Sequence, residues 1–165
     1  MNFHNSEEVI RFAFTVFAKS ILNTTTFGES IPTTGDVTTP QDNHAQCILI
    51  ITAMANRLSE KEMTFVYSRF SGDPETIRFS LRALAYLYAG AELRIDNKLA
   101  HDLVGRHFST FRRQRETMRE LAYNHNMSLR TMERRESLVT GYLNDLWDSV
   151  EAKSCELFVE CGLLT

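Results

Sequence analysis

Three prolines and seven glycines in 165 residues leave few points at which a helix is forced to stop. Strand patterning is also scarce, because no segment sustains the every-second-residue alternation of a half-buried strand. The three cysteines, Cys47, Cys155 and Cys161, form no C-x-x-C pair. The five histidines, at 4, 44, 101, 107 and 125, never stand three to five apart. The spacing of a structural zinc site is therefore missing, and the thiols read as buried side chains. The longest apolar run, "CILIITAMA" at 47–55, is half of the roughly 18 residues that span a bilayer. The start, "MNFHNSEEV", lacks the basic-then-apolar order of a signal peptide. Nucleophile-elbow and phosphate-loop motifs are missing too. Asp42 with His44, and His101 with Asp102, are neighbours in sequence only. The expectation is a cytoplasmic protein, not an enzyme, with no cofactor, no metal and no membrane partner.

What the chain has is helical periodicity. Residues 6–22 open with Ser6 as the expected N-cap before Glu7 and Glu8, and carry Ile10, Ala13, Phe14, Phe17 and Ile21 on one face. Residues 23–43, rich in Thr, Gly and Pro and free of Lys and Arg, read as a polar flexible loop. A buried helix over 41–58 presents Ile48, Ile51, Met54 and Ala55 to the core. Ser59 with Glu62 three residues on is a capping-box pattern, opening a helix through Met63, Val66 and Phe70. Asp73–Pro74 opens the next helix, for which Gly90 is the expected stop. A shorter segment spans about 92–108, and a basic helix "STFRRQRETMRELAYNH" follows. A last helix runs from Leu129 past Val150, with Val139, Leu143, Leu146, Trp147 and Val150 as its apolar stripe. The fold class is all-α, a single domain over 1–165.

Charge is segregated in a chain whose net charge is only -3. From Asp102 to Arg135 there are eight Lys or Arg against four Asp or Glu; from Glu136 to Thr165 there are six acids and one Lys. The basic part contains "RELAYNHNMSLRTMERRESLVTGYL", residues 119–143. A helix-turn-helix needs a small residue where two helices touch, a residue tolerant of positive φ in the turn, an apolar anchor and a capped second helix. Ala122 beside Leu121, Asn126, Met127 and Ser128 supply these in order, with Met132 turned inward. The outward residues are then Ser128, Leu129, Arg130, Glu133, Arg134 and Ser137. Arg130 and Arg134 can fork onto guanine edges or phosphates, Glu133 can accept from a cytosine amino group, and Thr131 suits a phosphate. Arg119 joins them as a DNA-binding residue. Arg135 is the mismatch, since such helices often bury an aliphatic residue there. The competing reading is an ordinary helical hairpin, which explains the apolar spacing and leaves the arginines unexplained.

"LSEKEMTFVYSRFSG" (58–72) together with 115–143 resembles the C-terminal DNA-binding region of bacterial sigma factors, interrupted here by a helical insertion over 73–112. The chain more closely resembles the shorter type of lambdoid phage antitermination protein Q. "TTPQDNHAQCILIITAMANRL", "MTFVYSRF", and the arginine-rich pair with Glu136 and Gly141 in its final helix carry that likeness. The resemblance implies a helical bundle with a sigma-region-4-like helix-turn-helix that binds double-stranded DNA near a promoter. It further implies loading onto bacterial RNA polymerase paused with its sigma factor, and suppression of pausing and termination at the RNA-exit channel. In the insertion, Arg78, Arg82, Arg94, Lys98 and Arg106, with Tyr86 and Tyr88, are candidates for a surface facing polymerase or nascent RNA. On that view residues 75–108 are removable without loss of DNA binding. Two other readings stand beside this one: a sequence-specific activator or repressor, and an all-α interaction module whose arginines pair with the acidic tail segment.

Overall fold

The computed structural model describes residues 3–23, 40–109 and 116–164. Helix follows helix: α1 (Ser6–Asn23), α2 (Pro40–Arg57), α3 (Glu60–Phe70), α4 (Pro74–Ala83), a π-helical segment (Leu84–Ala89), α5 (Gly90–Leu93), α6 (Asn97–Phe108), α7 (Met118–Asn124) and α8 (Leu129–Glu160). Among the described residues there is no strand, only an isolated bridge joining Phe3 to Leu164. The fold is all-α. None of the described helices is long and apolar enough to cross a membrane.

The helix starts follow the local chemistry. Ser59 and Glu62 form the full capping box, and Asp73 accepts from the Thr76 amide ahead of Pro74. At α1 the cap is one residue earlier than expected: Asn5 Oδ1 accepts from the Glu8 amide at 2.9 Å, while Ser6 is buried. The π segment and α5 continue α4 without a break, so Gly90 does not end the helix. Its φ is helical, and a Cβ there would lie 2.8 Å from the Ala85 carbonyl oxygen and 3.4 Å from the Ala100 Cβ. Glycine lets the widened turn and α6 approach each other; the stop is instead Arg94, in the left-handed region at φ 53°. The expected loop 23–43 is helical at both ends, at Asn23 and from Pro40 to Asn43, and its residues 24–39 lie outside the described ones. Likewise the expected basic helix from Ser109 is interrupted. Glu116 and Thr117 are not helical, α7 begins at Met118, and 110–115 lie outside the described residues.

Two hydrophobic clusters form the interior. One joins Val9, Ile10 and Phe14 of α1, Cys47, Ile50 and Met54 of α2, Val66 of α3, and Val150 and Phe158 of α8. Here the expected face of α2 is right in part: Met54 is buried and Ile51 half-buried, but Ile48 is 42% exposed and Ala55 is exposed, and Cys47, Ile50 and Leu58 are buried instead. Apolar residues at four consecutive positions, 48–51, leave periodicity little to distinguish. Only Cys47 behaves as the buried thiol expected of all three; Cys155 and Cys161 are exposed. Burial pushes the Cys47 thiol up to about 11.

The second cluster contains Phe65 of α3, Leu84, Ala85 and Ala89 of the π segment, and Leu99, Ala100, Leu103 and Val104 of α6. With them pack Leu121 and Ala122 of α7 and Met132, Val139, Leu143 and Leu146 of α8. The described part of the segment 73–112, through the π segment and α6, therefore packs against α7 and α8, which weighs against the expectation that 75–108 can be removed without loss of DNA binding. Removing it would strip one side from that core and expose several large side chains, each worth roughly 1.5–3 kcal/mol of burial.

α3 and α8 belong to both clusters and are joined by a buried polar knot. Glu62, 4% exposed, accepts from Lys153 Nζ at 2.7 and 2.9 Å, from Ser149 Oγ at 2.6 Å and from the Ser59 amide at 2.7 Å. Burial alone raises a carboxyl pKa, but these donors outweigh it and hold Glu62 down at about 2. A pKa lower in the folded than in the unfolded chain gives stability that is complete above the unfolded value and lost as pH falls towards the folded one. Ionised Glu62 thus favours the fold over its protonated form by about 3 kcal/mol near neutral pH. Chemical unfolding followed by Trp147 fluorescence should show stability falling between pH 5 and about 2. In Glu62→Gln that acid-dependent loss should shrink, with lower stability at pH 7; an unchanged pH profile would show that the knot is not a stabilising element.

Candidate nucleic-acid interface

α7 is seven residues long and is fixed at both ends. Thr117 and Glu120 form a second capping box, with the Thr117 amide donating to Glu120 Oε2 at 2.6 Å. That hydrogen bond, with the Thr117 hydroxyl, holds the Glu120 carboxyl below the usual range. The "TMRE" spacing that encodes the box stands in the sequence, inside the arginine-rich run. The other end is a Schellman motif. The Met127 amide donates to the Ala122 carbonyl at 2.8 Å and the Asn126 amide to the Tyr123 carbonyl at 3.1 Å. Asn126 takes the left-handed position at φ 51°, as its place in the sequence implied.

The next helix begins at once. Ser128 Oγ accepts from the Thr131 amide at 3.2 Å and lies 2.8 Å from the Thr131 hydroxyl. Leu121, Ala122 and Met132 are buried in the second cluster, and Met127 packs against it. The turn therefore has its small contact residue, its left-handed residue, its plug and its cap where the sequence put them. α8 differs in scale: its 32 residues extend about 48 Å, so only its first turns belong to this face.

Ser128, Arg130, Thr131, Glu133, Arg134 and Ser137 are exposed, and Leu129 is half-buried at the edge. Arg130, Glu133, Arg134 and Ser137, with Leu138, line one shallow open concavity. Arg119, exposed on α7, lies apart from it, in a second shallow recess with Glu116, Glu120, Tyr123 and Asn124. Arg119, Arg130 and Arg134 make no ion pair among the described residues. Arg135, at the mismatched position, is half-buried. Tyr123, in the same recess as Arg119, is 84% exposed on α7.

The five basic candidates of the segment 73–112 separate into two groups. Arg78 pairs with Glu75 at 2.8 Å, and Arg106 donates to the Glu116 carbonyl and lies 3.7 Å from Glu136. Arg106 thereby ties α6 to the start of α7 and to α8. Arg82, Arg94 and Lys98 are exposed and make no ion pair among the described residues. Tyr86 is 40% exposed with its ring 5.8 Å from that of His101, and Tyr88 packs against the second cluster.

A further tie was hidden from sequence reasoning. His125 Nε2 lies 2.8 Å from Asp102 Oδ2, and only 7% of the His125 side chain is exposed. This bond anchors the turn to α6 across 23 residues of sequence. Asp102 also lies 3.6 Å from His101 Nδ1.

The chain matches no protein-family model, and no curated protein matches it.

The geometry of the turn makes a graded prediction. Asn126→Gly should leave stability within a few tenths of a kcal/mol, whereas Asn126→Val should cost about 1–2 kcal/mol in urea unfolding because a branched Cβ is strained at positive φ. Asp102→Ala should cost about 1–3 kcal/mol by orphaning the buried imidazole. Equal stability for the Gly and Val variants would contradict the assignment of the turn.

Proposed function

We propose that this chain is a helix-turn-helix DNA-binding protein, with α7 as the supporting helix and the first turns of α8 as the recognition helix, in a sigma-region-4-like arrangement. The observation that carries the reading is the division of labour along residues 121–137. Leu121, Ala122 and Met132 are buried, while Arg130, Glu133, Arg134 and Ser137 face solvent together. Two guanidinium groups four residues apart, with no intramolecular carboxylate partner among the described residues, suit phosphates or guanine edges in a major groove. A helical hairpin built only for packing gives no reason to leave them so.

Within that class, the reading we favour is transcription antitermination. The protein binds promoter-proximal DNA, loads onto RNA polymerase paused with its sigma factor, and suppresses pausing and termination beside the emerging RNA. The order of the sequence elements supports this step, through their resemblance to phage antitermination proteins of the Q type; the exposed side chains of α8 support the DNA-binding step.

The DNA-binding step is tested by fluorescence anisotropy with duplex DNA over a salt series. Affinity should fall linearly in log–log form, and Arg134→Ala should cost roughly 1–3 kcal/mol if it reads a base. No duplex binding at low salt would rule out every nucleic-acid reading. Antitermination is tested by purified transcription across a strong terminator, with and without the protein, on templates bearing the promoter region. DNA binding without increased read-through would leave a sequence-specific activator or repressor.

A further inference from the structure

Leu138 and Val139 stand side by side on α8 and meet opposite surroundings. Val139 is buried in the second cluster, whereas Leu138 is 51% exposed. A single exposed leucine is ordinary on a protein surface and by itself carries no meaning. What distinguishes Leu138 is its company. It lines the same concavity as Arg130, Glu133, Arg134 and Ser137, and is the one apolar residue among the described residues that do so. Helical spacing accounts for the grouping. Arg130, Arg134 and Leu138 follow one another at four-residue steps, and Glu133 and Ser137 fill the adjacent row. Met132 and Val139 lie on the other side, in the second cluster.

The chemistry of a major groove leaves one role for such a side chain. Its floor presents hydrogen-bond donors and acceptors at every base pair, and the single apolar feature among them is the C5 methyl of thymine. Arg130 and Arg134 suit guanine edges or phosphates, and Glu133 suits a cytosine amino group. None of these groups gains from a methyl. Leu138 has the opposite preference: it offers no polar atom to a phosphate, and it gains by excluding water from an apolar partner.

We infer that Leu138 is a specificity-determining residue of this face, packing on the C5 methyl of a thymine in the bound duplex. The inference rests on the helix-turn-helix reading and deepens it, adding a thymine to the bases that the charged side chains recognise. Eight residues of helix set Leu138 about 12 Å along the axis from Arg130, so the two residues address different base pairs. Leu129 and Thr131, which also carry methyl groups near the start of α8, do not line the concavity.

The test uses the full chain and a duplex that it enriches from a random-sequence library. Each thymine of that duplex is replaced in turn by deoxyuridine, which removes the C5 methyl and leaves every hydrogen-bonding group in place. Fluorescence anisotropy should show one replacement that weakens the unsubstituted protein about fourfold, the effect of one buried methyl group. Leu138→Ala should bind the thymine duplex more weakly by at least that factor and should be indifferent to the same replacement. Its melting temperature should stay close to that of the unsubstituted protein, because the side chain is exposed and alanine suits a helix. Duplex binding that no deoxyuridine replacement weakens, or an enriched duplex without a thymine in its preferred sequence, would overturn the assignment and leave the helix-turn-helix reading standing. A replacement that weakens the Leu138→Ala variant as much as the unsubstituted protein would also overturn it, since another side chain would then hold the methyl. Absence of any duplex binding would overturn both readings together.

Discussion

The carboxylate of Glu62 is where this fold is tied together. A buried charge is tolerated only when its lone pairs are filled, and here Lys153, Ser149 and Ser59 fill them. Because Glu62 is also the third residue of the α3 capping box, one side chain both starts a helix and fastens it to α8. A few residues away Phe65 stacks on Trp147 at 6.0 Å, and the Arg69 guanidinium lies 4.3 Å over the same indole. This seam lies where the two hydrophobic clusters meet, and it fixes α8 relative to everything else.

That matters for function because α8 is both scaffold and candidate reader. Its distal half passes through the first cluster by Val150 and Phe158, and its middle through the second by Val139, Leu143 and Leu146. In its first turns Met132 is buried in the second cluster too, while Arg130 and Arg134 on the other side face solvent. A helix held this way presents its exposed face rigidly, so the guanidinium groups are positioned by the packing of Met132 and Val139 on the opposite side. The turn before it is secured separately, by Asn126 within the chain and by the Asp102–His125 bond from α6. The π segment and α6 thus support the candidate reading head from beneath.

Much of this was legible in the sequence, because the deciding interactions are local. Ser59 with Glu62, Asp73 with Pro74, Ser128 at the start of α8 and Asn126 in the turn each act within a few residues, and each sits where the pattern placed it. The stripe Val139, Leu143, Leu146 and Val150 was equally plain, because polar residues separate its members. α2 was harder, since Ile48 to Ile51 fill nearly every direction around the helix and periodicity cannot choose a face. Gly90 misled because glycine serves equally as a helix stop and as a point of close approach, and only the position of Ala85 and Ala100 separates the two. The outward residues of α8 follow from helical spacing, whereas Glu62–Lys153 and Asp102–His125 join positions 91 and 23 residues apart and have no local signature. Nor does spacing reveal that Arg106 is bound between α7 and α8 while Arg82 is not.

The central claim is that the first turns of α8 are the DNA-contacting surface of a rigid core. Amide hydrogen exchange of the chain, free and bound to a short duplex at low salt, tests it most directly. The account predicts added protection confined to the amides from Thr117 to Ser137, with the α3–α8 seam around Glu62 and Ser149 equally protected in both states. Protection elsewhere with none along 128–137 would contradict it.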